Sequence, residues 1–508
     1  MKLSRKVLSA VYQKGMPVPA ESYFQLPEKV LQFGTGVLLR GLPDFLIDKA
    51  NKQGIFNGRI VVVKSTSSGS TDDFDRQDGL FTLCVRGIMD GKKIEENIIN
   101  ASISRVLSAT TDWAEVLDCA TDPAMQLIIS NTTEVGIALV KEDIKSGRPP
   151  VSFPAKLLAF LYKRYQFFKG APASGMVIVP TELIPDNGKK LEAIVEELAH
   201  FNQFDYKFLD WLETHNYFCN SLVDRIVPGK ISREEGREIE AQAGYQDELM
   251  IMSEAYRLWA IESDSSVVKE VLSFSKADEG VVIAPDITKY RELKLRLLNG
   301  SHTFTCAIAL LAGFRTVKEA MTNELFAGFI KDLMFSEIAE SITGKDLSTN
   351  EARIFATQTL DRFSNPYLDH AWLSISMQYT SKMKTRNIPL IATYFSRHRH
   401  VPEHMALGFA AYLFFMRSTQ QEDGQYYVNF KGAAYMVTDE HAPYFADLWR
   451  DRALVDVVHE VLANRELWEI DLTALDGFEE AVKHFVVALQ EEDALTVIKN
   501  IRSAKMTL

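Results

Sequence analysis

Cysteine is scarce in this chain. Cys84, Cys119, Cys219 and Cys306 are the only four in 508 residues, and no two form a CxxC pair. That excludes a disulfide framework and a cysteine zinc site, and it fits a reducing cytoplasm. Long apolar runs are missing as well. The longest, "MALGFAAYLFFM" from Met405 to Met416, is too short to span a bilayer. The opening "MKLSRKVLSAVYQKG" carries only a short apolar patch, so no signal peptide is expected. Nor is there a basic block: 56 Lys+Arg stand against 68 Asp+Glu, for a formal net charge of -12. Such a balance argues against nucleic acid and anionic membranes as partners. No GxxxxGK[ST] loop occurs. "RHRHVPEH", with His398, His400 and His404, has no H-E-x-x-H frame and reads as a polar loop, so no metal is expected.

What is present is ordinary globular material long enough for two to four domains. The first half alternates short apolar runs with helical patterns. "KVLQFGTG", "RIVVVKS", "MQLIISNTTE" and "GMVIVPTELI" are unbroken rather than alternating, as strands covered on both faces are. The helical-looking "LLRGLPDFLIDKANKQG" follows the first of them, and "DEGVVIAPDITKY" reads as a last strand leading out. Strand, helix, strand in this order predicts an α/β Rossmann-type domain over residues 1–286. From 287 to 508 the chain reads almost wholly helical, as a second, substrate-binding and catalytic domain.

"VLQFGTGVLLRG" places Gly34, Thr35 and Gly36 directly after a strand and before a helix. Glycine there lets the backbone turn tightly and approach a pyrophosphate that the helix N-terminus stabilises. The GxGxxG fingerprint is incomplete, because Leu39 stands where the third glycine belongs. A plain strand-to-helix turn is the alternative. After the second strand come Lys64, Ser65 and Thr66 instead of the usual acidic partner for a ribose. Asp72 or Asp73 would have to serve from the loop, so NAD is expected and NADP is not excluded.

"KLRLLNGSH" sets a lysine among leucines. On an α-helix Lys294, Leu298 and His302 fall on an i, i+4, i+8 stripe, with Asn299 about 140° round from Lys294 at roughly 100° per residue. A lysine in such surroundings loses part of its preference for charge, which suits a general base. Asn299 would hold an oxyanion or carbonyl oxygen, and His302 would orient a hydroxyl. The alternative is a lysine that snorkels to water beside an Asn-Gly-Ser break.

"FGTG", "SNTTEVG", "LVDRIVPG", "KLRLLNGSH" and "RFSNPYL", in this order, resemble the long-chain polyol-specific, zinc-independent dehydrogenase family typified by mannitol 2-dehydrogenase. The resemblance runs from about Val30 to about Thr473, and the K-x4-N-x2-H pattern is its most specific mark. "QDGLFT", "SMQYTSKMKTRNIP" and "LWEIDLT" are similar to the branch acting on hexuronates. The resemblance implies a Rossmann-type domain, a helical domain and a site between them. It implies cofactor contacts from Phe33, Gly34, Thr35, Gly36, Val37, Leu38, Asn131, Thr132 and Asp224, although Asp224 with Arg225 reads by itself as a surface ion pair. It also implies Lys294 as general base or acid, Asn299 polarising the reacting oxygen, and His302 on substrate hydroxyls. One departure stands out. Where mannitol dehydrogenases have "CDNLPHNG", this chain has "TELIPDNG", with Leu183 in place of a second oxyanion asparagine and Glu182 retained without an assigned role.

A hexuronate brings a carboxylate, which needs a cation. "YLDHAWLSISMQYTSKMKTRNIP" supplies His370, Lys382, Lys384 and Arg386. Lys382 aligns with a substrate-contacting lysine of the family, and His370 replaces an aspartate of the polyol branch. These two are the expected carboxylate ligands; a solvated basic turn is the alternative. The expected activity is NAD-linked, metal-free reduction of D-tagaturonate to D-altronate in hexuronate catabolism, on a small-molecule substrate, by a monomer or homo-oligomer. D-fructuronate reduction or oxidation of a neutral polyol is the nearest rival. A β-hydroxyacid dehydrogenase, or a fold kept without its chemistry, is more distant.

Overall fold

The unbroken apolar runs do form buried strands. β1 (Glu28–Phe33), β2 (Arg59–Lys64), β3 (Ile103–Ser108), β4 (Leu127–Ser130), β5 (Val177–Pro180) and β6 (Tyr217–Phe218) make one sheet in the order β3-β2-β1-β4-β5-β6. Every pairing in it is parallel. β2, β4 and β5 are buried at every position, as a sheet covered on both faces requires. The strand order reverses between β1 and β4, and in open α/β sheets ligands bind at that point, beyond the carboxyl ends of the strands. In this computed structural model the described residues are 1–65, 71–132, 136–422 and 424–505. They divide into one unit of Met1–Arg86 with Lys93–Ile287, and another of Gly87–Lys92 with Thr288–Leu508.

In the first unit, Phe33, Val61, Val63 and Ile128 pack under Leu157, Leu158 and Leu161 of the helix Phe153–Phe168. The helical-looking stretch after β1 is two helices, α1 (Val37–Gly41) and α2 (Pro43–Lys52). The break falls at Leu42, because a residue before proline is driven out of the α region. Outside the main sheet, Ser221–Asp224 runs antiparallel to Leu258–Glu262, which pairs in parallel with Val281–Ala284. That last strand is the "VVIA" run.

From Thr288 on, the second unit is mostly helical, with a small antiparallel sheet of Thr419–Gln420, Tyr426–Phe430 and Ala433–Met436. Its site-bearing helix enters as Thr288–Glu292, continues as a π-helix over Leu293–Gly300, and leaves as α3 (Ser301–Ala312). Two further π-helical segments, Leu333–Ile338 and Met383–Asn387, occur in the same unit and pack against the first. No helix of the described residues is long and apolar enough to cross a membrane.

Candidate active site

In the first unit the glycine loop leaves β1 at the switch point. Gly34 adopts φ +126°, and a Cβ there would lie 2.9 Å from the Asn131 carbonyl oxygen and from Leu39 Cδ1. Its N–H donates to Val63 O at 3.0 Å, and Asn131 N–H donates to Phe33 O at 3.1 Å. Gly36 differs: a Cβ there would meet nothing within 4 Å. No side chain caps the N-terminus of α1 that it precedes. A tight turn, an open approach and uncapped amides together suit a dinucleotide phosphate. Thr35, Val37 and Leu38 flank Gly36 in the chain and are half-buried, whereas the Phe33 ring packs on Phe153 in the core and leaves only backbone at the loop.

Glu182, which the sequence left without a role, stitches β4 to β5. Its Oε1 accepts from Thr132 N–H at 2.8 Å and Thr132 Oγ1 at 3.0 Å, and its Oε2 accepts from Ser130 Oγ at 3.1 Å. Asn131 completes the seam by donating from Nδ2 to Thr181 O and Oγ1. The carboxylate thus fixes the backbone of the loop after β4. Leu183, next in the chain, is 61% exposed. Asn187 does not replace the missing asparagine, because its amide is spent on Pro180 O, Glu182 O and Ser221 O.

Asp224 and Arg225 are not a surface ion pair. Both are buried. Arg225 donates to the carbonyls of Glu254 and Gly41, tying this strand to the end of α1, and burial pushes its guanidinium down to about 9. Asp72 and Asp73 are both paired with Arg76, and Lys64 is buried. Thr66 lies outside the described residues.

In the second unit the π-helix changes the expected geometry. Its i→i+5 bonding widens the turn and lowers the rotation per residue. Asn299 therefore lies nearer the face of Lys294 than the roughly 140° that α-helical spacing predicts. His302 follows three residues later, in the first turn of α3. Lys294 and Asn299 are half-buried, and no described residue hydrogen-bonds the Asn299 amide group. The His302 ring is clamped: Phe363 stacks on it at 3.9 Å, while His370 and Trp372 meet it edge-on at 5.2 and 5.8 Å. His302 Nε2 is buried without a hydrogen-bond partner. Burial first, then the neighbouring His370, Arg362, Arg386 and Lys382, hold the imidazole pKa well below its ordinary value, so the ring is neutral.

Lys382 and His370, the expected carboxylate ligands, come together near this ring. Lys382 Nζ donates to Ile375 O at 2.8 Å, and burial followed by Arg386 lowers its pKa. His370 is lowered by burial and by Lys382. Lys384 goes elsewhere, pairing with Glu469 at 3.0 Å. Phe363, Trp372 and Arg362 as walls of the histidine were missed in the sequence. Two of them lie in or beside the "RFSNPYL" motif, which was the signal that could have found them. The "RHRHVPEH" stretch is not a polar loop throughout. His404 is fully buried in the first turn of the helix Glu403–Phe415, with Nδ1 2.6 Å from Glu337 Oε1, and His400 Nε2 meets the Tyr394 hydroxyl at 2.6 Å. Among the described residues no group of acidic, histidine or cysteine side chains could hold a metal.

The Mannitol dehydrogenase Rossmann domain model matches residues 28–273, and the Mannitol dehydrogenase C-terminal domain model matches residues 286–490. A Bacillus subtilis (strain 168) protein named altronate oxidoreductase is 37% identical over 475 residues, covering 93% of this chain and 94% of its own length. A Bacteroides thetaiotaomicron protein of the same name is 33% identical over 477 residues, 94% and 97% of the two chains. Among solved structures, mannitol 2-dehydrogenase of Pseudomonas fluorescens, in ternary complex with NAD and D-mannitol, superposes with a TM-score of 0.67. It is 22% identical, and the match covers 99% of this chain and 100% of that one. A D-sorbitol dehydrogenase in substrate-free form gives 0.77 at 20% identity, over 98% and 100%.

Proposed function

The chain belongs to the mannitol dehydrogenase family and is an oxidoreductase of CH–OH groups, and from that premise we propose that it interconverts D-tagaturonate and D-altronate with NAD(H) in the cytoplasm. The observation that carries the reading is the π-helix, which turns Asn299 toward the face of Lys294, followed by a neutral His302 whose Nε2 is unspent. The bound nicotinamide would supply the hydride to the ketone carbon. Lys294 gives a proton to the ketone oxygen as the C=O π bond breaks and the new C–H bond forms, and it takes that proton back in the reverse direction. Asn299 donates its amide N–H to the same oxygen, where charge develops. His302, neutral, exchanges a hydrogen bond through Nε2 with a neighbouring substrate hydroxyl. With Leu183 apolar and the Asn187 amide engaged, neither supplies a second amide donor. His370 and Lys382 meet the substrate's anionic end. In the first unit Gly34 to Leu38, Asn131, Thr132 and Asp224 hold the nucleotide, with residues 1–286 as its domain and 287–508 as the catalytic one.

The test is NADH consumption with D-tagaturonate and D-fructuronate in parallel, on the native chain and on Lys294→Ala. Preference for tagaturonate and a loss of roughly 10²–10⁴-fold in kcat in the variant, with NADH binding retained, are the expected results. Equal turnover of fructuronate would move the substrate to its isomer, and an active variant would remove the lysine from the mechanism. The same assay with NADPH settles the nucleotide.

A further inference from the structure

The cations of "SKMKTR" are treated in two ways. Lys384, between the other two, is neutralised by Glu469 at 3.0 Å. Lys382 and Arg386, one turn apart, form no ion pair among the described residues, and Asp439 acts on Lys382 only without direct contact. Lys382 spends its ammonium on one carbonyl, Ile375 O, and Arg386 makes one side-chain hydrogen bond, from Nη1 to Thr303 Oγ1 at 3.3 Å. That hydroxyl itself donates to Asn299 O at 2.8 Å, so the guanidinium reaches the helical turn between Asn299 and His302. The backbone around Arg386 is fixed. Its carbonyl accepts from Arg296 Nη1 at 2.7 Å, the Thr385 carbonyl accepts from the same atom at 2.9 Å, and Asn387 Nδ2 donates to Gly300 O at 3.2 Å. Burial lowers the pKa of both cations, and Arg386 lowers Lys382 further.

Gathering like charges partly out of water, with Asp439 acting on Lys382 as the one opposing charge, is costly, and an arriving anion recovers that cost. The guanidinium has five donors in a planar fork, and four of them are unspent. That geometry accepts both oxygens of a carboxylate, which an ammonium point charge does not. We propose that Arg386 is the specificity-determining residue that grips the terminal carboxylate of the substrate through paired N–H···O bonds, with Lys382 as a second charge beside it. The proposal rests on the hexuronate reading above and adds the residue that reads the acid. By fixing that end on the third π-helical segment, Arg386 sets which carbonyl lies over Lys294 and Asn299.

The test compares the native chain with Arg386→Gln, Arg386→Lys and Lys384→Gln, on D-tagaturonate and on D-fructose as a neutral ketohexose. For Arg386→Gln, KM for tagaturonate is expected to rise roughly tenfold to a hundredfold, as loss of a charge-assisted pair implies. kcat should fall far less, and the ratio of kcat/KM between tagaturonate and fructose should drop by the same factor. Arg386→Lys should recover part of the loss, Lys384→Gln should match the native chain, and NADH binding should persist in all three. Unchanged KM in Arg386→Gln, or an equal loss on both ketoses, overturns the proposal while leaving the hexuronate reading intact. A native chain that reduces fructose and not tagaturonate overturns the hexuronate reading itself, and this proposal with it.

Discussion

Gly34 and Gly36 are one residue apart and glycine for different reasons. At Gly34 the backbone conformation and the Asn131 carbonyl both exclude a side chain. At Gly36 nothing within 4 Å does, and the proposed nucleotide would use that space. Gly34→Ala is therefore expected to destabilise the fold by about 1–3 kcal/mol and to lose NADH binding. Gly36→Ala should leave the melting temperature nearly unchanged and still weaken NADH. Thermal melts and NADH fluorescence titrations on both variants separate the two roles; a Gly34→Ala melt equal to that of the native chain would show that this glycine is not set by the protein's own packing. The pair was legible in the sequence as GxG, and so were Lys294, Asn299 and His302 as residue types. Glu182 was not, because a carboxylate whose partners are a backbone amide and two hydroxyls leaves no spacing signal. Asp224 and Arg225 misled for a related reason: adjacent opposite charges read as exposed, and only the fold shows them buried.

At the scale of elements, unbroken apolar runs marked four of the six parallel strands. β3 escaped because Ser104 and Arg105 interrupt its apolar pattern, and β6 because two residues carry none. The π-helices were illegible to propensity: leucine, lysine and arginine are good α-formers, and nothing in composition marks an i→i+5 turn. The spacing of Lys294 and Asn299 held the clue, since five residues match no α-helical face but do match a π-helical one. Holding this wider helix in place falls to Arg296, whose side chain donates to Thr385 O, Arg386 O and Glu292 Oε2. Arg296→Met should cost about 1.5–3 kcal/mol of stability and lower kcat/KM as the first and third π-helical segments loosen. A chemical-denaturation midpoint and steady-state kinetics read the two effects; a variant with native kinetics would show that this tie does not align the site.

For the molecule as a whole, a formal charge of -12 repels an anionic substrate, whereas the cations around His302 attract it. Local attraction is focused and global repulsion diffuse, so the local term should govern binding. Raising ionic strength from about 0.01 M to about 0.15 M, which shortens the screening length from about 30 Å to about 8 Å, should therefore raise KM for the hexuronate severalfold and leave a neutral ketose unaffected. A falling KM would mean that the net charge dominates. The continuous helix from Thr288 to Ala312 carries one more consequence, and it is genetic. Each helical residue rotates its successor by about 100°, so the π-helical stretch sets the orientation of every side chain on α3 behind it. Losing one codon between Lys294 and Asn299 would leave every other codon of the gene in frame. It would also leave the lysine and the asparagine four residues apart, the spacing that an ordinary α-helix places on one face, so the five-residue spacing and the π-helical turn are expected to be inherited or lost together, by a single codon.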